Sequence, residues 1–151
     1  MIRKFFVTEK SPALTILRVM LGVVMFSHGA QKLLGWFGGR GFEATVRGFT
    51  GGNLHIPELL AVLVVVTESF GALALVVGFF TRLAALAVAV DMTVAIILVH
   101  AKIGFFMNWS GKAAGEGFEY HLLIIAMALA LVIKGGGLWS VDGTIAAKLK
   151  R

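Results

Sequence analysis

The 151-residue chain is 58% hydrophobic and only 15% charged, with a mean hydropathy of +0.91. A soluble domain is about half apolar and about a quarter charged, so the excess requires lipid as a second solvent. A net charge of +6 on such a chain points to anionic headgroups and membrane topology rather than nucleic acid. The absence of cysteine removes disulfides, iron–sulfur clusters and thiol redox chemistry.

The chain opens with a basic segment, residues 1–12, carrying Arg3, Lys4 and Lys10, with Phe5-Phe6 as an interfacial patch. The apolar run that follows is too long for a cleaved leader and lacks a small-x-small site. Ser11-Pro12 reads as a helix start, with serine as N-cap and proline at the first helical position. Residues 13–34 then reach the roughly 20 residues that a membrane crossing needs. The loop after them is rich in glycine (38, 39, 41, 48, 51, 52) and aromatic residues (Trp36, Phe37, Phe42, Phe49). Phe42, Val46 and Phe49 follow helical spacing, which predicts a short interfacial helix. Pro57 opens a second span over 57–77. A tight turn at 78–82 makes it an antiparallel neighbour of the third span, 82–100. A second glycine- and aromatic-rich loop leads to the fourth span, 117–134, which is short for a crossing. Gly135-Gly136-Gly137 breaks the chain ahead of a basic tail over 135–151.

Counting Lys and Arg outside the spans sets the orientation. Eight fall on one side (Arg3, Lys4, Lys10, Arg82, Lys134, Lys148, Lys150, Arg151) and four on the other (Arg40, Arg47, Lys102, Lys112). The positive-inside rule places both termini in the cytoplasm of a plasma (inner) membrane, as an even number of crossings requires. The expected fold is an all-α, left-handed four-helix transmembrane bundle with an interfacial helix in its first loop.

Ionisable residues inside these spans are the functional signal, because a carboxylate at mid-bilayer costs at least about 2.5 kcal/mol. Along the first helix Arg18, Gly22, Met25, Gly29, Lys32 and Trp36 form one stripe with His28 beside it, as a bundle-facing side requires. At about 1.5 Å per residue Arg18 lies roughly 8 Å from the inner end and His28 roughly 23 Å. Glu68 and Asp91 fall near the midplane of adjacent helices. This predicts a buried charge network of Arg18, Glu68 and Asp91, either a packing bridge or a shared proton. A second cluster gathers at the outer ends: His28, Lys32, His100, Glu119 and His121. It is suited to a proton relay or to a polar pocket for a quinone headgroup or a small anion. Imidazole and carboxylate also suit zinc, copper or iron, with His28, His100 and His121 the candidates. Glu119-Tyr120-His121 is no metal motif, since positions two apart on a helix face different ways, and no metal is predicted. No residue is singled out as catalytic.

The chain resembles the DoxX family of small four-helix membrane proteins. The carriers are Arg18 with His28-Gly29-Ala30-Gln31-Lys32-Leu33, Pro57, Glu68 with Gly71, and Gly78-Phe79-Phe80-Thr81-Arg82. His100 and Gly135-Gly136-Gly137-Leu138-Trp139-Ser140-Val141-Asp142 follow in order. The family takes its name from a subunit linked to thiosulfate:quinone oxidoreduction, and relatives carry oxidoreductase labels. The resemblance implies a membrane redox accessory or quinone-interacting role; the sequence requires no cofactor. Expected partners are the lipid bilayer, a soluble or membrane redox partner and a further copy of the chain, but not nucleic acid. Two other readings stand beside this one: a scaffold whose buried charges only specify helix pairing, and a proton-coupled carrier using Glu68 and Asp91 as an oligomer.

Overall fold

A computed structural model describes residues 2–51 and 54–149. Gly52 of the first loop and Lys150 and Arg151 of the basic tail lie outside the described residues. Among the described residues the chain forms seven helices and no strand. They are α1 (Ile2–Phe6), α2 (Pro12–Leu34), α3 (Phe42–Thr50), α4 (Glu58–Val77), α5 (Thr81–Leu98), α6 (Glu119–Lys134) and α7 (Val141–Lys148).

Three of them, α2, α4 and α5, are long and apolar enough to cross a membrane. Helix α6 has 16 residues. Helix α2 starts as the sequence predicts, with Pro12 in the first turn and Ser11 Oγ accepting from the Leu14 amide. It ends at Gly35, whose φ of 73° is the left-handed conformation of a helix C-cap. The predicted helix in the first loop is α3, which packs on α4 and α2 and buries Thr45 and Val46.

One apolar core joins α2, α4, α5 and α6, with Leu21, Met25, Leu75, Val88, Ala128 and Leu131 fully or almost fully buried. The small-residue stripe on α2 faces α4, as expected. A β-carbon on Gly29 would collide with the Glu68 carbonyl, so only glycine allows the two backbones to approach this closely.

Helix α4 is not uniform. Residues Thr67–Gly71 form a π-helical turn in its middle, a feature often found at functional sites. This turn packs against α2 and α5. The outer half, Glu58–Val66, packs on α3 and α2 and leaves α5. The two antiparallel helices therefore touch from the π turn inward and diverge outward.

Residues beyond α6 do not trail away as a basic tail. Asp142 accepts from the Phe80 and Thr81 amides, both at 2.8 Å, and so caps α5 from the far end of the chain. Its own amide donates to the Gly78 carbonyl at 2.9 Å. Thr8 Oγ1 accepts from the Gly137 amide at 2.7 Å, and Phe6 packs edge-on against Phe80 at 5.3 Å. Both terminal segments thus close the end of the helices that holds the turn between α4 and α5. A charge count cannot foresee this, because the cap joins groups more than 60 residues apart.

Candidate functional site

The charged residues inside the bundle sort differently from the expectation. Arg18 is 2% exposed and faces neither Glu68 nor Asp91. Its Nε donates to the Gly136 carbonyl at 2.8 Å, and its Nη1 donates to the carbonyls of Leu75, at 2.7 Å, and Val76. Leu75 and Val76 lie in the last turn of α4, where carbonyls have no helical partner, and a cation there also meets the negative end of the helix dipole. Arg82 does the same for α6, donating to Val132 and, at 2.7 Å, to Ile133. The predicted network of Arg18 with Glu68 and Asp91 is therefore corrected: Arg18 is a helix-end cap.

Glu68 is only 4% exposed and pairs with Lys32 across α2 and α4. Counting residues from the start of each helix assumed that all helices begin in one plane. The contact of Gly29 with the Glu68 backbone instead sets Glu68 level with the last two turns of α2, within reach of Lys32.

Glu68 and Asp91 thereby join the outer cluster around one cavity of about 670 Å³. The helical spacing explains who lines it. Met25, His28 and Lys32 come from one face of α2, Val64 and Glu68 from α4, and Asp91, Val94, Ala95 and Leu98 from α5. Helix α6 adds Tyr120 and His121. Of the expected ligand-binding residues, His28, Lys32, His100 and His121 line the cavity. Glu119 does not: its Oε1 accepts from the Met107 amide at 2.9 Å and the Trp109 indole at 3.4 Å, holding the second loop in place. Glu116 takes its place in the lining.

Three polar atoms around this cavity are buried and have no hydrogen-bond partner among the described residues: Asp91 Oδ2, Tyr120 OH and His121 Nδ1. Buried polar atoms are nearly always paired, so three orphans on residues that line one space are exceptional. The rings of His100 and His121 lie 4.1 Å apart, and His28 lies 6.2 Å from Tyr120. His100 Nδ1 donates to the Glu116 carbonyl at 2.8 Å, since only an N–H can serve a carbonyl. Among the described residues no three His, Asp or Glu side chains converge as metal ligands, so His28, His100 and His121 do not form one site.

Sequence reasoning missed Tyr120, Glu116 and Trp109 as lining residues. Tyr120 was legible in principle as a phenol beside His121 in an apolar helix. Glu116 and Trp109 depend on how the second loop folds back, with the Phe118 amide donating to the Gly104 carbonyl at 3.1 Å.

A second pocket of about 400 Å³ lies beside the first and shares Lys32, Phe49 and Leu54 with it.

Comparison with known proteins bears on these observations. A family model, DoxX, matches residues 13–101. "Putative oxidoreductase CatD" of Bacillus subtilis is 30% identical over 116 residues, 77% of this chain and 75% of that protein. Inner membrane protein YphA of Escherichia coli is 30% identical over 133 residues, 85% of this chain and 87% of that protein. No solved structure matches. The matched segment contains α2 to α5, and with them the Gly29–Glu68 crossing, the Lys32–Glu68 pair and Asp91: the chain belongs to the DoxX family of membrane proteins.

Proposed function

We propose that this protein is the membrane-embedded component of a redox system and that its outer cavity binds the ring of a quinone-like molecule. The observation that carries the reading is the set of unpartnered atoms, Asp91 Oδ2, Tyr120 OH and His121 Nδ1, around one space of about 670 Å³. That volume lies in the range of small-molecule sites, which are mostly apolar with a few placed polar groups. The name of CatD supports an oxidoreductase context.

Charge separates the two ligands that the sequence allowed. Lys32 is already matched by Glu68, and Asp91 adds a second carboxylate. A small anion would find no unmatched lysine or arginine in the cavity lining, whereas a neutral ring needs none. The hydroxyls of the reduced ring can donate to Asp91 Oδ2 and His121 Nδ1, and Tyr120 OH can donate to a ring oxygen. Protons released on oxidation of the ring have acceptors at these positions. The electrons pass to a redox partner.

In this reading α2, α4, α5 and α6 all cross the bilayer as a four-helix bundle, with α3 in the outer interface. Helix α6 is about 24 Å long by its rise, so the bilayer thins around it or residues 117–118 complete the span. Both termini lie in the cytoplasm, where the eight outlying cations place them.

The test is native mass spectrometry and equilibrium binding on gently purified protein in nanodiscs, using a synthetic benzoquinol. Retention of a quinone, or saturable binding weakened by Asp91→Asn and His121→Ala, is expected. Absence of both, with the variants folded, sinks the reading.

A further inference from the structure

The cavity has a shape that its polar residues do not explain. On α5 its lining runs Asp91, Val94, Ala95, Leu98, one helical stripe from the polar floor to the outer end. On α4 it runs Glu68 and then Val64, outward along the same wall. These two stripes face each other where α4 leaves α5 beyond the π turn. Val94 both lines the cavity and is 41% exposed.

The outer side is roofed. Phe49, Leu54 and Ile56 cover it from the first loop, and Met107 and Trp109 cover it from the second, which Glu119 holds down. Among the walls that neither loop supplies, the one between Val64 and the stripe Val94, Ala95 and Leu98 is an apolar slot. Polar groups are absent from that slot. The orphaned atoms all sit at its inner end or on α6.

We infer that the cavity is loaded sideways from the bilayer, and that its ligand is an amphiphile. A neutral, hydroxyl-bearing ring lies against Asp91, Tyr120 and His121, and a single aliphatic tail lies in the slot between α4 and α5. This rests on the ring-binding reading above and adds the tail and the route. A hydrophobic slot continuous with a polar floor fits a tail continuous with a polar head. The π turn lies at the point where α4 and α5 part.

Two probes with the same benzoquinol ring, one without a tail and one with an isoprenoid tail, test the inference in nanodiscs. Val64→Phe fills the slot, its side chain leaning toward the start of α4 and away from Glu68 and the polar floor, and Leu86→Phe, on an exposed inner position of α5, is the control. Val64→Phe should weaken the tailed probe at least about tenfold, the contact of about two methylene groups. The tailless probe should keep its affinity, and Leu86→Phe should change neither. Equal effects on the two probes, or no effect on either, overturn the slot while leaving ring binding intact. Failure of both probes to bind the unaltered protein overturns the ring reading and this inference with it. A tailed probe with a photoreactive group at the tail gives a readout on the unaltered protein. Crosslinks to residues 63–66 and 94–98 are expected. Crosslinks confined to 105–118 or to the inner halves of the helices overturn the route.

Discussion

Replacing Arg18 with methionine keeps most of the side-chain volume and removes every donor. The carbonyls of Gly136 and Val76 then lose their partner in a site that is 2% exposed, while the Leu75 carbonyl keeps the Gly78 amide at 3.1 Å. Hydrogen bonds between membrane helices average about 0.6 kcal/mol, so three give a floor of about 2 kcal/mol. Valued instead as hydrogen bonds to a charged group, at about 1.5 kcal/mol each, the three give an upper figure of about 5 kcal/mol. At about 2–4 °C per kcal/mol for a chain of this size, Arg18→Met should lower the unfolding temperature by about 4–20 °C. Arg18→Lys should fall between, because one ammonium cannot span carbonyls on α4 and on the loop after α6. The assay is thermal unfolding in nanodiscs. A second variant separates the carbonyl cage from a charge pair. If Arg18 answered Glu68, then Glu68→Gln would rescue Arg18→Met; the cage predicts additive losses. An unfolding temperature for Arg18→Met within about 2 °C of the parent protein, or rescue by Glu68→Gln, refutes the assignment.

Asp142→Ala removes the acceptor of the Phe80 and Thr81 amides and should cost about 1–2 kcal/mol, with faster hydrogen exchange at those two amides as the specific sign. Gly29→Ala places a β-carbon against the Glu68 carbonyl and should destabilise by about 1–3 kcal/mol, whereas Gly71→Ala, whose nearest neighbours lie at 3.9 Å, should be near neutral in the same melt. Glu119→Ala should speed exchange at the Met107 amide and protease cleavage within 105–118, leaving α6 protected; unchanged exchange would remove Glu119 from its role in holding the loop. Because the chain has no cysteine, Lys10→Cys and Leu149→Cys each supply a unique thiol. An impermeant maleimide should label both only after cells are opened, and labelling of either in intact cells contradicts four crossings with cytoplasmic termini.

The two arginines show how a local pattern and a tertiary fact divide the work. Arg18 and Arg82 stand near the same end of the spans. A charge in an apolar helix demands a partner, and carboxylates are the partners a sequence displays. Backbone carbonyls at helix ends are equally good acceptors, but every helix has them and no residue type marks them. The pairing of Lys32 with Glu68 was hidden for a related reason. Residue counting measures depth along each helix, whereas the offset between helices is set by where small residues let them touch, here at Gly29.

The sequence by itself determined that this is a membrane chain, where α2, α4 and α5 run, that a short helix lies in the first loop, and that Gly22, Met25, Gly29 and Lys32 face inward. These follow from hydropathy, capping residues and helical periodicity, which are local. It also placed His28, Lys32, His100 and His121 at one end. Only the tertiary structure decided that Glu68 and Asp91 belong with them, that Arg18 and Glu119 do not, and that the last helix is a clamp rather than a tail. Those outcomes depend on helix offset, on where α4 and α5 part, and on hydrogen bonds between residues as much as 118 apart. No window of sequence contains such distances.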